Sequence, residues 1–172
     1  PIAKQEAQAK QDAYKAVFAD ADSFDAVDVD ADALQSFLDE NGYAAQSIDE
    51  TMLAKDASGN ELGYAFTVTT SEGYGGDIQI TVGIMSDGTV NGISFLSISE
   101  TAGLGMKAKD DPSWGKQFAG KKADAFSVVK DGSGSGDDAK IDAISGATIT
   151  SKAVTGAMNS CLAYFQSLEG GN

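Results

Sequence analysis

The sequence predicts an α+β fold: a twisted, mainly antiparallel sheet with flanking helices, arranged as two unequal lobes around a cleft. Helix-forming residues dominate both ends of the chain, while the middle alternates apolar and polar residues at the period of β-strands. Turn residues separate these runs, and the chain contains 20 Gly. With 172 residues, 42% of them hydrophobic, it can form one domain with a real core or two small lobes.

The first part of the chain is predicted to be helical. Residues 3–18 are rich in Ala, Gln, Lys and Glu, which favour a helix, although they offer only a modest apolar face. An acidic connector is expected at Asp20–Asp32. A second helix is expected over Ala31–Glu40, with an Asp as its N-cap and an end at Asn41-Gly42.

The middle of the chain is predicted to be an antiparallel meander of four strands. These strands are expected near Thr51–Lys55, Leu62–Thr70, Asp77–Met85 and Thr89–Ile98. Three connections join these strands: turn residues at Ser58-Gly59-Asn60, a Gly-rich loop at 71–76 and the pair Asp87-Gly88. In the third strand the apolar residues alternate at period two, so we expect one face to meet the core: Ile78, Ile80, Val82 and Ile84.

The remaining elements are shorter until the C-terminal helix. A short helix over Asp111–Gly120 should carry Trp114 as a packing residue, and a strand should follow at Ala125–Lys130. Residues 131–138 are interpreted as a flexible surface loop or a hairpin tip before a strand at Lys140–Ile144.

From Lys152 onward, apolar residues at spacings of three and four predict a helix with one buried face: Val154, Met158, Cys161, Phe165 and Leu168. The Cys161 thiol is therefore expected to be buried and inert. Gly170 and Gly171 should end the helix.

The charge balance argues against several classes of partner. The net charge is −14 and the isoelectric point is about 4.1, which disfavours nucleic-acid binding and adsorption to anionic lipid. One Cys and no His rule out the usual zinc, iron–sulfur and hydrolytic-triad sites.

A calcium loop is the remaining metal alternative, and it fits poorly. Asp28, Asp30, Asp32 and Asp39 are spaced somewhat like its ligands, but Ala33 stands where the loop needs Gly for its sharp turn. An acidic start of a helix is the simpler interpretation. No metal site is predicted.

The segment Asp142–Ser151 is the main candidate for a functional site. Its hydroxyls and its Gly-Ala step lie directly ahead of the C-terminal helix. Free backbone N–H groups and the positive end of the helix dipole together favour an anion there, and phosphate is the natural guest. The alternative is a Ser/Thr-rich N-cap without any ligand.

The pattern Asp-x-x-Ser-Gly-Ala-Thr-x-Thr-Ser in this segment resembles the flavinylation motif of the FMN-binding domain family. That family includes the G subunit of the Rnf electron-transport complex and the C subunit of the sodium-pumping NADH:quinone oxidoreductase. The resemblance implies that FMN is joined through its phosphate to Thr148 as a phosphoester. It also implies an ApbE-type flavin transferase that recognises a sequence including Asp142. The hydroxyl of Thr150 or Ser151 would lie near the phosphate. The resemblance further implies that the surrounding residues hold the cofactor: Ser145, Gly146, Ala147, Ile149, Thr150 and Ser151.

Two further blocks support the resemblance, which covers roughly residues 60–168 in order. Residues 99–105 are similar to the family's Glu-Thr-Pro-Gly-Leu-Gly loop, which lies against the isoalloxazine ring, and residues 73–76 resemble the stretch before its central hairpin. The chain departs from the family at Ser99, where His is frequent, and at Ala102, where Pro is usual. The implied cofactor-binding residues in these blocks are Tyr74, Gly75, Glu100, Thr101, Gly103, Leu104 and Gly105. For Glu100 a solvated loop carboxylate is the alternative to a group that hydrogen-bonds near the flavin or orders its own loop.

The resemblance implies an electron-transfer subunit of a membrane ion-translocating oxidoreductase complex of the Rnf type, rather than an independent catalyst. Its partners would be the other membrane subunits, and it would lie at the extracytoplasmic face of the cell membrane. Residues 1–50 would then be a helical segment following a membrane helix that is absent from this chain, and residues 51–172 the FMN-binding domain around a flavin cleft. Two alternatives stay open: a cell-surface module that holds FMN noncovalently, and a flavin-relay domain of a larger extracellular reductase.

Overall fold

The computed structural model describes residues 2–170 and contains a five-stranded antiparallel sheet. The order of the strands in the sheet follows the order in the chain: β1 Ser23–Ala26, β2 Gln46–Lys55, β3 Glu61–Thr70, β4 Ile78–Met85 and β5 Val90–Ser97. Every neighbouring pair is antiparallel, so the predicted α+β class and antiparallel meander are confirmed. The prediction missed β1, which lies inside the expected connector, and it began β2 too late.

Helices lie on both faces of this sheet. They are α1 Ile2–Val17, α2 Ala31–Glu40, α3 Lys107–Asp110, α4 Pro112–Gly115 and α5 Thr148–Gly170. The end of α1 packs Tyr14, Val17 and Phe18 against Ala54 and Ala65. The larger core, which includes α5, covers the opposite face.

Both predicted apolar rows form the centre of the larger core. Ile78, Ile80, Val82 and Ile84 are completely buried on β4. Each such side chain contributes about 1.5–3 kcal/mol relative to an exposed position, before conformational entropy is subtracted. On α5, Cys161 is also completely buried, and burial raises the pKa of its thiol, as expected for an inert cysteine.

The acidic residues before α2 begin that helix, as predicted. The carboxylate of Asp30 accepts hydrogen bonds from the backbone N–H groups of Asp32 and Ala33, both at 3.1 Å. This is the bonding of an N-cap residue, which replaces the acceptors that the first turn of a helix lacks.

A second sheet excludes the hairpin-tip alternative predicted for residues 131–138. It pairs β6, Ser127–Val129, with β7, Lys140–Asp142, and the two strands are parallel. The connection between them is therefore no hairpin tip. It contains a 3-10 turn at Ser133–Gly136, which Lys121 ties down by donating from Nζ to Gly134 O at 2.8 Å and to Lys140 O at 2.7 Å.

The short helix predicted over Asp111–Gly120 is confined to Pro112–Gly115, because its later residues form successive i→i+3 turns. Strand β2 crosses residue 50, where a domain boundary is predicted from the sequence. The boundary and the two lobes stay predictions. Among residues 2–170, no helix has both the length and the apolar composition that a bilayer crossing needs. Gly171, one of the two predicted helix-ending glycines, lies outside the described residues.

Candidate functional site

Three loops meet at one end of the large sheet. In the antiparallel order β3-β4-β5, strands β3 and β5 run in the same direction, so the segments that follow them leave from the same end of the sheet. These segments are residues 71–76 and 98–106. The start of α5 joins them there, because Thr150 Oγ1 donates to Glu100 at 2.6 Å.

Helix α5 begins at Thr148, rather than near Lys152 as predicted. A turn precedes it, in which Ala147 N donates to Ile144 O at 3.0 Å and Gly146 has a φ of +76°, as in a type II turn. Ser151 N donates to Ala147 O at 3.0 Å. The earlier N–H groups of the first turn have no acceptor within the helix, and they lie at the positive end of a 23-residue helix dipole.

The four hydroxyls around this helix start differ in their surroundings. Thr150 and Ser151 are 2% and 0% exposed, and both are engaged within the protein. Ser151 Oγ accepts from Ile144 N and donates to Ala147 O, both at 2.9 Å. These bonds disfavour the predicted use of either hydroxyl as a phosphate ligand. Ser145 is exposed, and Thr148 is partly exposed in the wall of a pocket.

The pocket has a volume of about 540 Å³, within the range of about 300–1,000 Å³ that is typical of small-ligand sites. Nine of the predicted site residues line it: Tyr74, Thr101, Leu104, Gly105, Gly146, Ala147, Thr148, Ile149 and Thr150. The other predicted residues, Gly75, Glu100, Gly103, Asp142, Ser145 and Ser151, lie outside its lining.

Exposed apolar side chains are concentrated at this pocket. Tyr74 is 70% exposed, Ile149 54% and Leu104 43%, although large apolar residues elsewhere in the described chain are mostly buried. A group of exposed apolar side chains around a concave site typically marks a ligand or partner surface. The pocket therefore combines apolar walls with a hydroxyl and an anion-favouring helix start.

The carboxylate of Glu100 connects the three loops. Its Oε1 accepts from Tyr74 N at 2.8 Å and from Thr150 Oγ1 at 2.6 Å, and its Oε2 accepts from Gly75 N at 2.5 Å. These three bonds attach Glu100 to the loop after β3 and to the start of α5, rather than to its own loop. The predicted roles of Glu100, hydrogen bonding near the flavin or ordering its own loop, stay predictions.

The side chains of Gln117 and Trp114 hold the backbone of Asp142, and no sequence pattern predicts these contacts. Gln117 binds its backbone from both sides: Asp142 N donates to Gln117 Oε1 at 2.8 Å, and Gln117 Nε2 donates to Asp142 O at 3.2 Å. Trp114 Nε1 also donates to that oxygen, at 2.8 Å. The Asp142 Oδ1 atom accepts from Gly134 N at 2.8 Å. Trp114 thus has a polar role besides packing, and no pattern around Gln117 could have revealed its contact.

Comparison with known proteins bears on the same part of the chain. A family model described as FMN-binding domain matches residues 73–163, which include the Glu100 loop, the Asp142 segment and most of α5.

Named relatives extend the match. The chain is 39% identical over 112 residues to the G subunit of the Na(+)-translocating ferredoxin:NAD(+) oxidoreductase complex of Acetobacterium woodii, covering 65% of this chain and 53% of that protein. It is 37% identical over 173 residues to the G subunit of the proton-translocating ferredoxin:NAD(+) oxidoreductase complex of Clostridium ljungdahlii, covering 99% of this chain and 80% of that protein. The crystal structure of Shewanella oneidensis NqrC has the same fold, with a TM-score of 0.65, 21% identity, and coverage of 97% of this chain and 96% of that one.

Proposed function

The chain belongs to the FMN-binding domain family, and from this premise we propose that it carries FMN on Thr148, joined through the flavin phosphate as a phosphoester. The supporting observation is the Thr148 hydroxyl. Four hydroxyls lie in residues 145–151. Within the described chain, the Thr148 hydroxyl is the one of these that lines the pocket and forms no hydrogen bond to another protein group.

The residues present fit FMN in two respects. The N–H groups of Thr148, Ile149 and Thr150 and the positive helix end suit a phosphodiester, which keeps one negative charge. The exposed side chains of Tyr74, Leu104 and Ile149 suit a flat, largely apolar ring system. The Thr150 and Ser151 hydroxyls are left out of the phosphate site in this proposal, because both are bonded within the protein.

Attachment replaces one bond to phosphorus with another. A phosphorus–oxygen bond of an activated flavin phosphoanhydride breaks, the Thr148 Oγ–P bond forms, and the hydroxyl proton leaves with the displaced oxygen. An ApbE-type flavin transferase would supply this activated donor and recognise Asp142. When bound, FMN supplies electron-transfer chemistry, while the protein fixes its position and limits its exposure to water.

We also propose that the protein is the flavin subunit of a membrane ion-translocating ferredoxin:NAD(+) oxidoreductase complex of the Rnf type. The two named G subunits support this assignment, and the longer match covers 99% of this chain. The other membrane subunits would be its partners at the extracytoplasmic face. Residues 51–172 would be the flavin domain, with the ring in a cleft between two unequal lobes.

The N-terminal segment would connect this domain to a membrane anchor. Residues 3–12 of α1 are exposed apart from Lys10, and burial begins at Ala13, so most of the helix lies outside the core. A covalent bond suits such a location, because it holds the cofactor regardless of the free flavin concentration.

Acid precipitation after co-expression with a flavin transferase tests the covalent linkage. We expect the wild-type pellet to stay yellow, because acid unfolds the protein and releases only noncovalently bound flavin. Thr148→Val should give a colourless pellet, and the control Ser58→Ala, which removes an exposed hydroxyl between β2 and β3, should behave like wild type. Colour in the wild-type supernatant would instead favour the noncovalent alternative.

A further inference from the structure

We propose that Glu100 is a positioning residue that fixes the three walls of the pocket relative to one another, rather than a ligand of the flavin. Its two carboxylate oxygens accept three hydrogen bonds, two from the loop after β3 and one from the start of α5. The residue itself belongs to the loop after β5. One side chain therefore joins every segment that lines the pocket.

We call Glu100 the joint, together with its bonded partners Tyr74, Gly75 and Thr150 and the closely packed Gly105. The positions of these residues explain how the joint would act on the pocket. Three residues of the joint directly follow an exposed apolar residue of the pocket wall, and the fourth, Tyr74, is itself such a wall residue, whose N–H is bonded to Glu100. Gly75 follows Tyr74, Gly105 follows Leu104, and Thr150 follows Ile149. A shift at the joint therefore moves an adjacent wall residue.

Two glycines permit the close approach of the three loops. An added Cβ at Gly75 would lie 2.4 Å from Ser99 O, and one at Gly105 would lie 2.5 Å from Thr150 Oγ1. Real Cβ atoms essentially never come so close to another atom. The space beside Gly105 is therefore filled in part by Thr150 and Glu100, and only the remainder is open to a flat ligand.

The joint depends on the chemistry of a carboxylate. An ionised carboxylate only accepts hydrogen bonds, and both oxygens are available, whereas an amide replaces one oxygen with a donor NH₂ group. Glu100→Gln therefore cannot satisfy the three donors together. Thr150→Val removes one donor without changing the charge near the pocket, and Thr150→Ser restores the hydroxyl.

The first test uses the flavin-free chain and NMR. In Glu100→Gln we expect at least one of the amide protons of Tyr74 and Gly75 to exchange with solvent about tenfold faster or more, because the amide offers one acceptor oxygen where the carboxylate offers two. Thr150→Val should shift the methyl resonances of Leu104 and Ile149, and Thr150→Ser should return them toward wild type. Glu61→Gln, the same change at an exposed residue at the start of β3, is the matched control.

The second test, which rests on the proposed function, uses the flavin-loaded chain. The visible circular dichroism, measured per attached flavin, should change in Thr150→Val and recover in Thr150→Ser, with intact mass giving the amount of flavin attached to each variant. A loss of stability alone would leave the flavin's surroundings in the folded protein, and therefore its spectrum, unchanged at temperatures below the unfolding transition.

The outcomes separate the two proposals. Wild-type exchange rates at Tyr74 and Gly75 in Glu100→Gln would overturn the joint, as would unchanged methyl resonances in Thr150→Val. If the wild type never acquires flavin, the proposed function fails, while the NMR measurements still decide the role of Glu100.

Discussion

At the residue scale, Asp142 combines two roles that substitutions separate. Its carboxylate accepts from Gly134 N, which fixes the turn between β6 and β7, and the proposed transferase would read its charge. Asn has a side-chain oxygen that accepts the same hydrogen bond but carries no charge. Ala provides neither.

We predict that Asp142→Asn lowers the rate of flavin attachment about tenfold or more while the free energy of unfolding changes by less than about 1 kcal/mol. Asp142→Ala should lower both, with a loss of stability of about 1–3 kcal/mol for the partly buried donor left unpaired. Attachment rates are followed by intact mass and stability by urea denaturation. Normal attachment in Asp142→Asn would show that the transferase does not need the charge.

Sequence patterns predicted the residues that line the pocket better than the contacts between them. Short motifs singled out Glu100 and Thr150, but the bond between their side chains spans 50 positions of the chain. Nothing in the local sequence encodes such a distance. The same applies to Gln117, whose bonds to Asp142 span 25 positions. These side-chain contacts depend on the fold, which brings distant segments of the chain together.

At the scale of elements, the contact between α1 and the sheet depends on a close backbone approach. Gly83 on β4 and Gly92 on β5 are opposite each other, and both face Val17. An added Cβ at Gly83 would lie 2.7 Å from Val17 O, whereas one at Gly92 would lie 3.4 Å from Val17 Cα, an ordinary contact. Only the first position requires the helix to move.

Gly83→Ala is therefore expected to lower the free energy of unfolding by about 1–3 kcal/mol, the usual cost of overfilling a packed interface. Gly92→Ala provides the matched control and should change it by less than about 1 kcal/mol. Urea denaturation measures both. Equal effects would mean that α1 does not rest closely on β4.

Tyr14 gives the same helix a dependence on pH. Burial, and then the hydrogen bond to Glu50, raises the pKa of the Tyr14 hydroxyl. In the unfolded chain a tyrosine titrates at about pH 10. The stability contributed by neutral Tyr14 is therefore complete below that pH and is lost as the pH rises toward the folded pKa.

Above about pH 10, Tyr14→Phe should reduce the fall in unfolding free energy by up to about 1.4 kcal/mol per pH unit. Part of the fall should persist, because burial also raises the pKa of Tyr43, Tyr64 and Tyr164. Urea titrations at several alkaline pH values measure these slopes. Parallel slopes in the two proteins would contradict the role of Tyr14.

Elements with strong local signals were predictable, and those held by distant contacts were not. The alternation of Ile78 to Ile84 and the N-cap of α2 are properties of neighbouring residues. Strands β6 and β7 have three residues each, too few for a pattern that indicates their parallel pairing. The start of α5 was missed because Thr and Ser favour caps over helix interiors, so the first residues of the helix looked like its cap.

At the scale of the whole molecule, the antiparallel meander accounts for the position of the site. It brings the ends of β3 and β5 to the same end of the sheet, where the start of α5 completes a pocket of about 540 Å³. Helix α1 lies on the opposite face of the sheet from the larger core. A net charge of −14 favours solubility and disfavours contact with anionic lipid or nucleic acid.

Mass spectrometry of the protein co-expressed with a flavin transferase tests the central proposal most directly. We expect the intact chain to gain the mass of one FMN less one water, and fragmentation of the peptide containing residues 142–151 to locate that mass on Thr148. Thr148→Ala should lack the added mass. Retention of the full adduct by Thr148→Ala, or its location on another residue of the wild type, would contradict the proposed attachment.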